Sequence, residues 1–475
     1  MSSKIKQFAL VIGGVLIGVA ISLNYSAIAQ RDGAKLPLPI EELRAFTEVF
    51  GRIKSDYVEP VEDRKLITEA INGMLTGLDP HSAYLDQEAF KEMQVGTQGE
   101  FGGLGIEVGM EDGFVRVVSP IDDSPAARAG IKAGDLIIRL DETAVKGMTL
   151  SDAVKRMRGK PNTPITLTIV RKGEPKPIVV TLTRAVIKIQ SVRSRLIEPG
   201  YAYVRVSQFQ EHTGENMARA LERMFKENPG PMQGLVLDLR NDPGGLLNGA
   251  VAVSAAFLPR DALVVYTDGR SEDARMKLNA SPEHYLRGRN KEDFLKRLPP
   301  EVKKVPMVVL VNGGSASASE IVAGALQDHG RAVIMGQQTF GKGSVQTILP
   351  LGNGTAIKLT TARYFTPKGR SIQARGITPD IPLDDGASDR TAGLKLREAD
   401  LTKHLGEAPA TDKPEDRAGA AAAAAAKFKF TPAPRPKEVD AKLQRPEPGE
   451  VVSPNDYELN QAIAFLKSRG SAKAN

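Results

Sequence analysis

The run Asn312-Gly313-Gly314-Ser315-Ala316-Ser317-Ala318-Ser319-Glu320 places three hydroxyls among small residues. It follows the apolar run Met307–Val311 and precedes an amphipathic segment ending at Gly330. A strand-to-helix turn of this kind exposes a side-chain oxygen beside unpaired N–H groups and the positive end of a helix dipole, which suits a serine nucleophile and its oxyanion. The same Ser317-x-x-Glu320 spacing also spells a helix capping box, a purely structural role. What separates the two readings is a base. His329, the only histidine nearby, lies twelve residues along the same helix, about 18 Å away at 1.5 Å per residue, which excludes it. A lysine desolvated in an apolar site becomes neutral and can take a hydroxyl proton instead. Lys342 fits, in the uncharged, glycine-flanked turn Gly336–Gly343. That turn nearly spells a phosphate loop, but Gly343 removes the metal-binding hydroxyl, and Val345–Leu351 reads as a strand where a helix is needed. Nucleotide binding is set aside.

Ser317 inside Ser-Ala-Ser-Ala-Ser-Glu, Lys342 inside Thr-Phe-Gly-Lys-Gly and Gln346 four residues beyond resemble the carboxyl-terminal processing (tail-specific) proteases. These are exported serine peptidases with an embedded PDZ domain and a crotonase-like α/β core. Leu237-Asp238-Leu239-Arg240-Asn241-Asp242-Pro243-Gly244-Gly245, Thr361–Tyr364 and Gly376–Asp380 match further family segments, and the resemblance spans residues 40–385. It implies Ser317 as nucleophile, Lys342 as general base and Gln346 as the residue holding the lysine. It further implies an oxyanion hole from the N–H groups of Ala318 and of the Gly244-Gly245 pair. Many relatives carry Asn where Asp242 stands. The resemblance implies no cofactor and no metal. As partners it implies proteins with accessible C-terminal tails, cell-wall hydrolases among them, and in some relatives a helical-repeat lipoprotein adaptor.

Three kinds of element must position these residues. From 200 to 385, apolar runs such as Leu235–Leu239 and Met307–Val311 alternate with helical patterns, as in a sheet covered on both faces. From about 97 to 185 short strands and turns carry two short helices, at Ser124–Gly130 and Thr149–Met157. That order, with Ala129-Gly130-Ile131-Lys132-Ala133-Gly134-Asp135, resembles a PDZ domain. The likeness implies that Gly103, Leu104, Gly105 and Ile106 offer backbone N–H groups to a peptide's terminal carboxylate, while the peptide adds a strand to the sheet edge. The rival reading is a turn that merely needs glycine. Residues 38–96 read as helical, with Leu43, Phe46, Val49, Phe50 and Ile53 at helical spacing and a closing turn at Leu78–Ser82.

After about 386 the order degrades through Ala420–Ala426 and the Pro-rich 432–448 into a short helix near Asp456–Ser468. That helix and the 38–96 segment are either assembly surfaces of a homo-oligomer or packing elements of the protease. At the other end, Lys4 and Lys6, an apolar run Phe8–Leu23 and Ala27-Ile28-Ala29 read as a cleavable export leader, the alternative being a membrane anchor. The expected parse is leader 1–29, helical region 30–96, PDZ domain 97–185, protease core 186–385 and tail 386–475. A periplasmic location follows.

The absence of cysteine excludes a thiol nucleophile, disulfides and iron–sulfur ligation. Five scattered histidines make no metal site. The net charge of +7, or +5 without Lys4 and Lys6, is too mild for nucleic acid. Two rivals stand beside the peptidase: a non-catalytic PDZ carrier on a degenerate α/β scaffold, and a coenzyme-binding α/β enzyme, which the export leader argues against.

Overall fold

A computed structural model describes residues 39–121, 124–287, 292–383, 396–406, 430–435 and 451–471. The leader at 1–29, Ala420–Ala426 and most of the Pro-rich stretch lie outside the described residues. Among those described, no helix is long and apolar enough to cross a membrane.

Two units divide at Ile71. The first holds α1 (Ile40–Asp56) and the start of α2 (Asp63–Thr76). Glu41 and Glu42 in the first turn of α1 and Lys54 in the last complement its dipole. None of its residues is buried, and Leu43, Phe46, Val49 and Ile53 form an exposed stripe.

In the second unit, β1 (Ala83–Leu85) interrupts the expected helical run, and α3 (Gln87–Gln98) resumes it. Asp86 caps α3 by accepting from the Ala89 N–H, and Gly99 closes it at φ 75°, a conformation that glycine enters freely. The β-rich module opens with β2 (Glu100–Gly103) and runs through β3 (Ile106–Glu111), β4 (Phe114–Pro120), α4 (Pro125–Arg128), β5 (Leu136–Leu140) and β6 (Thr143–Ala144). Then come α5 (Leu150–Met157), β7 (Pro164–Val170), β8 (Ile178–Thr183) and β9 (Ala185–Lys188), which pairs back onto β2 and closes the module. Its sheet has the order β3-β4-β5-β7-β8, with β6 beside β5, so β3 is an edge strand. Alternation explains the core: Ile165, Leu167 and Ile169 of β7 point inward onto Val115, Val117 and Ile137.

The α/β half begins with β10 (Val192–Glu198), β11 (Tyr201–Val206), α6 (Thr213–Glu227), β12 (Gly234–Asp238) and α7 (Leu247–Ala255). It continues with β13 (Leu263–Gly269), β14 (Lys277–Asn279), α8 (Pro282–Tyr285), β15 (Met307–Val311), α9 (Ala318–Asp328) and β16 (Val333–Gly336). β17 (Ser344–Pro350), β18 (Ala356–Phe365), β19 (Ile381–Pro382) and α10 (Tyr457–Ser471) complete it. One six-stranded sheet has the order β10-β11-β12-β15-β16-β19 and is parallel from β11 onward. A second, antiparallel sheet runs β1-β18-β13-β14 with β17 against β18. Because Ala83–Leu85 pairs with β18, the segment after the Asp79–Ser82 turn is strand and not helix.

α6, α7 and α9 cover one face of the parallel sheet. The other face, Tyr203, Val236, Val308, Leu310 and Met335, is covered by α10 through Leu459, Ala462, Ile463, Phe465 and Leu466. Of the two uses the sequence allows for that helix, the structure selects packing on the parallel sheet. Its apolar face is not available for assembly.

Candidate active site

The turn after β15 is built by short polar side chains folding back on the main chain. The Asn312 N–H donates to Ser315 Oγ (3.0 Å), and that hydroxyl donates to the Leu239 carbonyl (2.7 Å). The Ala316 N–H and Ser319 Oγ both donate to the Asp242 carbonyl at 2.9 Å. The loops leaving β12 and β15 are thereby zipped together. Ser317 stands at the start of α9 with φ 55° and ψ −113°, a strained setting for a residue with a Cβ.

Glu320 organises the rest. Its wholly buried carboxylate accepts the Ser317 N–H (2.8 Å) and the Lys342 N–H (2.9 Å) on Oε2. On Oε1 it accepts the Gly341 N–H (2.7 Å) and Thr339 Oγ1 (2.5 Å). The Ser317 N–H bond is the capping box legible in Ser317-x-x-Glu320. The other three donors belong to the loop between β16 and β17, so one side chain fixes both the serine turn and the lysine turn. Burial pushes the Glu320 carboxyl up to about 7, against four donors that favour its charged form.

Lys342 is held below its ordinary value by burial and then by the nearby Lys358 charge, while Glu398, Glu320 and Asp79 pull the other way. Its carbonyl accepts the Tyr364 hydroxyl, and Tyr364 also makes a side-chain hydrogen bond with Ser317. The phenol therefore sits between the two expected catalytic residues. The structure joins Ser317 and Lys342 through Glu320 and Tyr364. The Gln346 amide donates to Ser344 Oγ (3.0 Å) and Thr360 Oγ1 (3.3 Å). It faces the hydroxyls of its own sheet.

Gly244 and Gly245 have φ 97° and 142°. A Cβ on Gly244 would lie 2.7 Å from Ser317 Cβ and 2.9 Å from the Ala318 nitrogen, and one on Gly245 would lie 2.2 Å from the Phe209 carbonyl oxygen. Only glycine fits either place. The Gly244 N–H is already engaged, donating to Asp242 Oδ1 at 2.8 Å. Ala318, as the first residue of α9, has no intrahelical acceptor for its N–H. Of the expected oxyanion donors, Ala318 and Gly245 therefore fit the role better than Gly244.

A further layer was not legible as chemistry. Asp79 accepts from Ser82 Oγ, the N–H groups of His81 and Ser82, and Thr360 Oγ1, the hydroxyl that also takes the Gln346 amide. Burial works to raise the Asp79 carboxyl, but these donors leave it below its ordinary value. Glu398, also fully buried, meets His81 Nε2 at 2.8 Å and Gln373 Nε2 at 2.9 Å, and Gln373 Oε1 accepts the Gly343 N–H. Below the glycine pair, Asp238 takes Tyr203 Oη and the guanidinium of Arg240, which also grips Asp456 and Glu458 at the start of α10. Only the Asp-Pro-His-Ser turn and the Asp-Leu-Arg run signalled these groups in sequence.

In the β-rich module, Leu104 is buried and its carbonyl accepts the Ala126 N–H. Gly105, at φ 74°, has its carbonyl tied to the Ile121 N–H and Ser124 Oγ. Gly103 ends β2, and Ile106 opens the edge strand β3.

Residues 200–383 match peptidase family S41, residues 102–182 the PDZ domain, and residues 21–89 the activating protease CtpB N-terminal domain. The chain is 43% identical over 412 residues to a carboxy-terminal-processing protease of Bartonella bacilliformis, covering 86% of this chain and 90% of that one. With carboxy-terminal processing protease CtpB of Bacillus subtilis it shares 35% identity over 355 residues, covering 74% and 70%. Among solved structures, a photosystem II D1 C-terminal processing protease is 32% identical, with a TM-score of 0.39 and coverage of 71% and 86%.

Proposed function

The chain belongs to peptidase family S41 as a carboxy-terminal processing serine protease with a PDZ domain, and we propose that it works through a Ser317–Lys342 dyad on exported proteins chosen by their C-terminal residues. The observation that carries the dyad is the Glu320 carboxylate, which binds the backbone N–H of both residues and so sets their separation.

Ser317 Oγ attacks the scissile carbonyl carbon, and neutral Lys342 Nζ takes the hydroxyl proton. The N–H groups of Ala318 and Gly245 stabilise the tetrahedral oxyanion. When the C–N bond breaks, Lys342 returns the proton to the departing amine and leaves an ester on Ser317. Water then attacks the ester carbonyl and gives a proton to Lys342; as the C–O bond to Ser317 breaks, Lys342 passes that proton to Oγ, which releases the acid and restores both residues. Because only neutral lysine can start the cycle, activity falls as pH falls through the Lys342 pKa, which burial has moved down. Gln346, through Thr360, steadies the strands that carry the lysine turn.

The edge strand β3 and the loop Gly103–Ile106 take the substrate tail as an added strand. Export rests on the leader read at 1–29, and cell-envelope proteins, cell-wall hydrolases among them, are the substrates this location offers. A helical-repeat adaptor remains part of the same proposal. So does a homo-oligomer, formed by a second copy covering the apolar stripe of α1. A 17-residue helix without one buried side chain has little stability of its own.

The test is degradation of a loosely folded protein by the purified chain beside Ser317→Ala and Lys342→Ala. Both variants should lose activity at least 10³-fold, in line with triad deletions, while keeping the wild-type circular dichroism. Near-full activity in Lys342→Ala overturns the dyad. A folded wild type that cuts nothing, alone or with periplasmic extract, favours the non-catalytic carrier. Deletion of residues 97–185 separates two uses of the PDZ domain: continued cleavage means gating, and a dead enzyme means activation.

A further inference from the structure

Two carboxyl groups are wholly buried beside the serine turn, and they are treated differently. Glu320 has four donors spread over both oxygens. Among the described residues Asp242 has one donor seated on its carboxylate: Oδ1 accepts the Gly244 N–H, while Oδ2 is buried without a hydrogen-bond partner and the Ser319 hydroxyl, which donates to the Asp242 carbonyl, lies beside the group. An ionised carboxylate with a bare buried oxygen costs more than the neutral acid, whose unpaired O–H carries only the smaller penalty of a neutral polar group.

The placing of Asp242 gives this consequence for chemistry. Its carbonyl receives the Ala316 N–H and Ser319 Oγ, and its carboxyl holds the residue whose Cα packs on Ser317. The carboxyl is thus one hydrogen bond from the glycine pair at which negative charge develops during acylation. A fixed negative charge there opposes the oxyanion, since like charges in a water-poor site repel strongly.

We infer that Asp242 is a positioning residue of the oxyanion site that serves in its protonated form, so that ionising it weakens transition-state binding. This rests on the dyad reading of Ser317. The groups acting on the carboxyl from the packed elements are Arg205 on β11, Asp238 at the end of β12 and the neutral Ser319 on α9. Burial raises the group to about 7; the Gly244 N–H, Ser319 and Arg205 oppose that rise, and Asp238 adds to it. The carboxyl therefore ionises as pH rises through about 7, and the loss falls on the alkaline side, opposite to the limb set by Lys342.

The experiment compares pH profiles of kcat/KM for the full chain and Asp242→Asn, a neutral isostere. The expected result is a ratio of variant to wild type that climbs about tenfold per pH unit above neutrality. A ratio independent of pH overturns the inference, because a merely structural role lowers activity equally at every pH. Should the variant not fold, the wild type decides through the affinity of a peptide boronate, whose adduct on Ser317 carries the anion. Affinity that drops between pH 6 and 8.5 supports the gate, and constant or rising affinity refutes it. A wild type that neither cuts nor takes up the boronate defeats the dyad and the gate together. Ser317-dependent cleavage with a flat ratio defeats the gate alone.

Discussion

Helices α1 and α10 are both amphipathic and both lie outside the region that matches the peptidase family, yet they end differently. α10 drives Leu459, Ala462, Ile463, Phe465 and Leu466 into the parallel sheet. α1 leaves Leu43, Phe46, Val49 and Ile53 between 37% and 57% exposed. Their charges explain the difference better than their apolar faces do. Asp456 and Glu458 close on Arg240, which is itself buried against Asp238, so α10 is pinned by ions that leave water only when it docks. The ion pairs of α1, Arg52 with Asp56 and Lys54 with Asp63 at the start of α2, are solvent-exposed and contribute little. An apolar stripe says that a face must be covered, and only a second, specific interaction says by what.

The sharpest way to break this contrast is Phe465→Ala. It should cost about 3–5 kcal/mol as a large-to-small change in a packed core, read as a shift in the denaturant midpoint. A cost under 1 kcal/mol would place α10 on the surface in solution. Glu458→Gln comes next. It removes one of three acidic partners of Arg240 and should lower stability by about 1 kcal/mol. If α10 only covers grease, Glu458→Gln changes neither stability nor turnover. The smallest thermodynamic effect belongs to α1. Phe46→Asp should leave the unfolding midpoint within about 0.5 kcal/mol, yet convert an oligomer to monomer by light scattering. A wild type that is already monomeric at micromolar concentration removes the second copy from the reading.

Much of the architecture was legible because burial on both sheet faces writes itself as continuous apolar runs. Leu235–Leu239 and Met307–Val311 became β12 and β15 within a residue. The succession of short strands and two helices in the PDZ module was likewise legible along the chain, while the order of the strands within its sheet was not. Ser317-x-x-Glu320 was legible as a cap because a cap is local. That Glu320 also receives the Lys342 N–H, or that Tyr364 sits between serine and lysine, depends on loops meeting across the fold, and no period in the sequence records it. The same holds for His81 and Glu398, which meet from opposite ends of the described chain. The expected role of Gln346 was inherited from likeness, and its side chain turns to Thr360 instead. Gly244 shows a similar limit. Its need for glycine was clear, but the acceptor that occupies its N–H was not.

The order of elements along the chain carries a temporal consequence. α10 follows every strand of the sheet that it covers. A polypeptide emerging amino end first therefore produces all six strands, the serine turn and the lysine turn before the lid of their second core exists. Until α10 arrives, Arg240 lacks two of its acidic partners and the face around Tyr203 and Val308 stays wet. In that interval the parallel sheet has a cover on one face only.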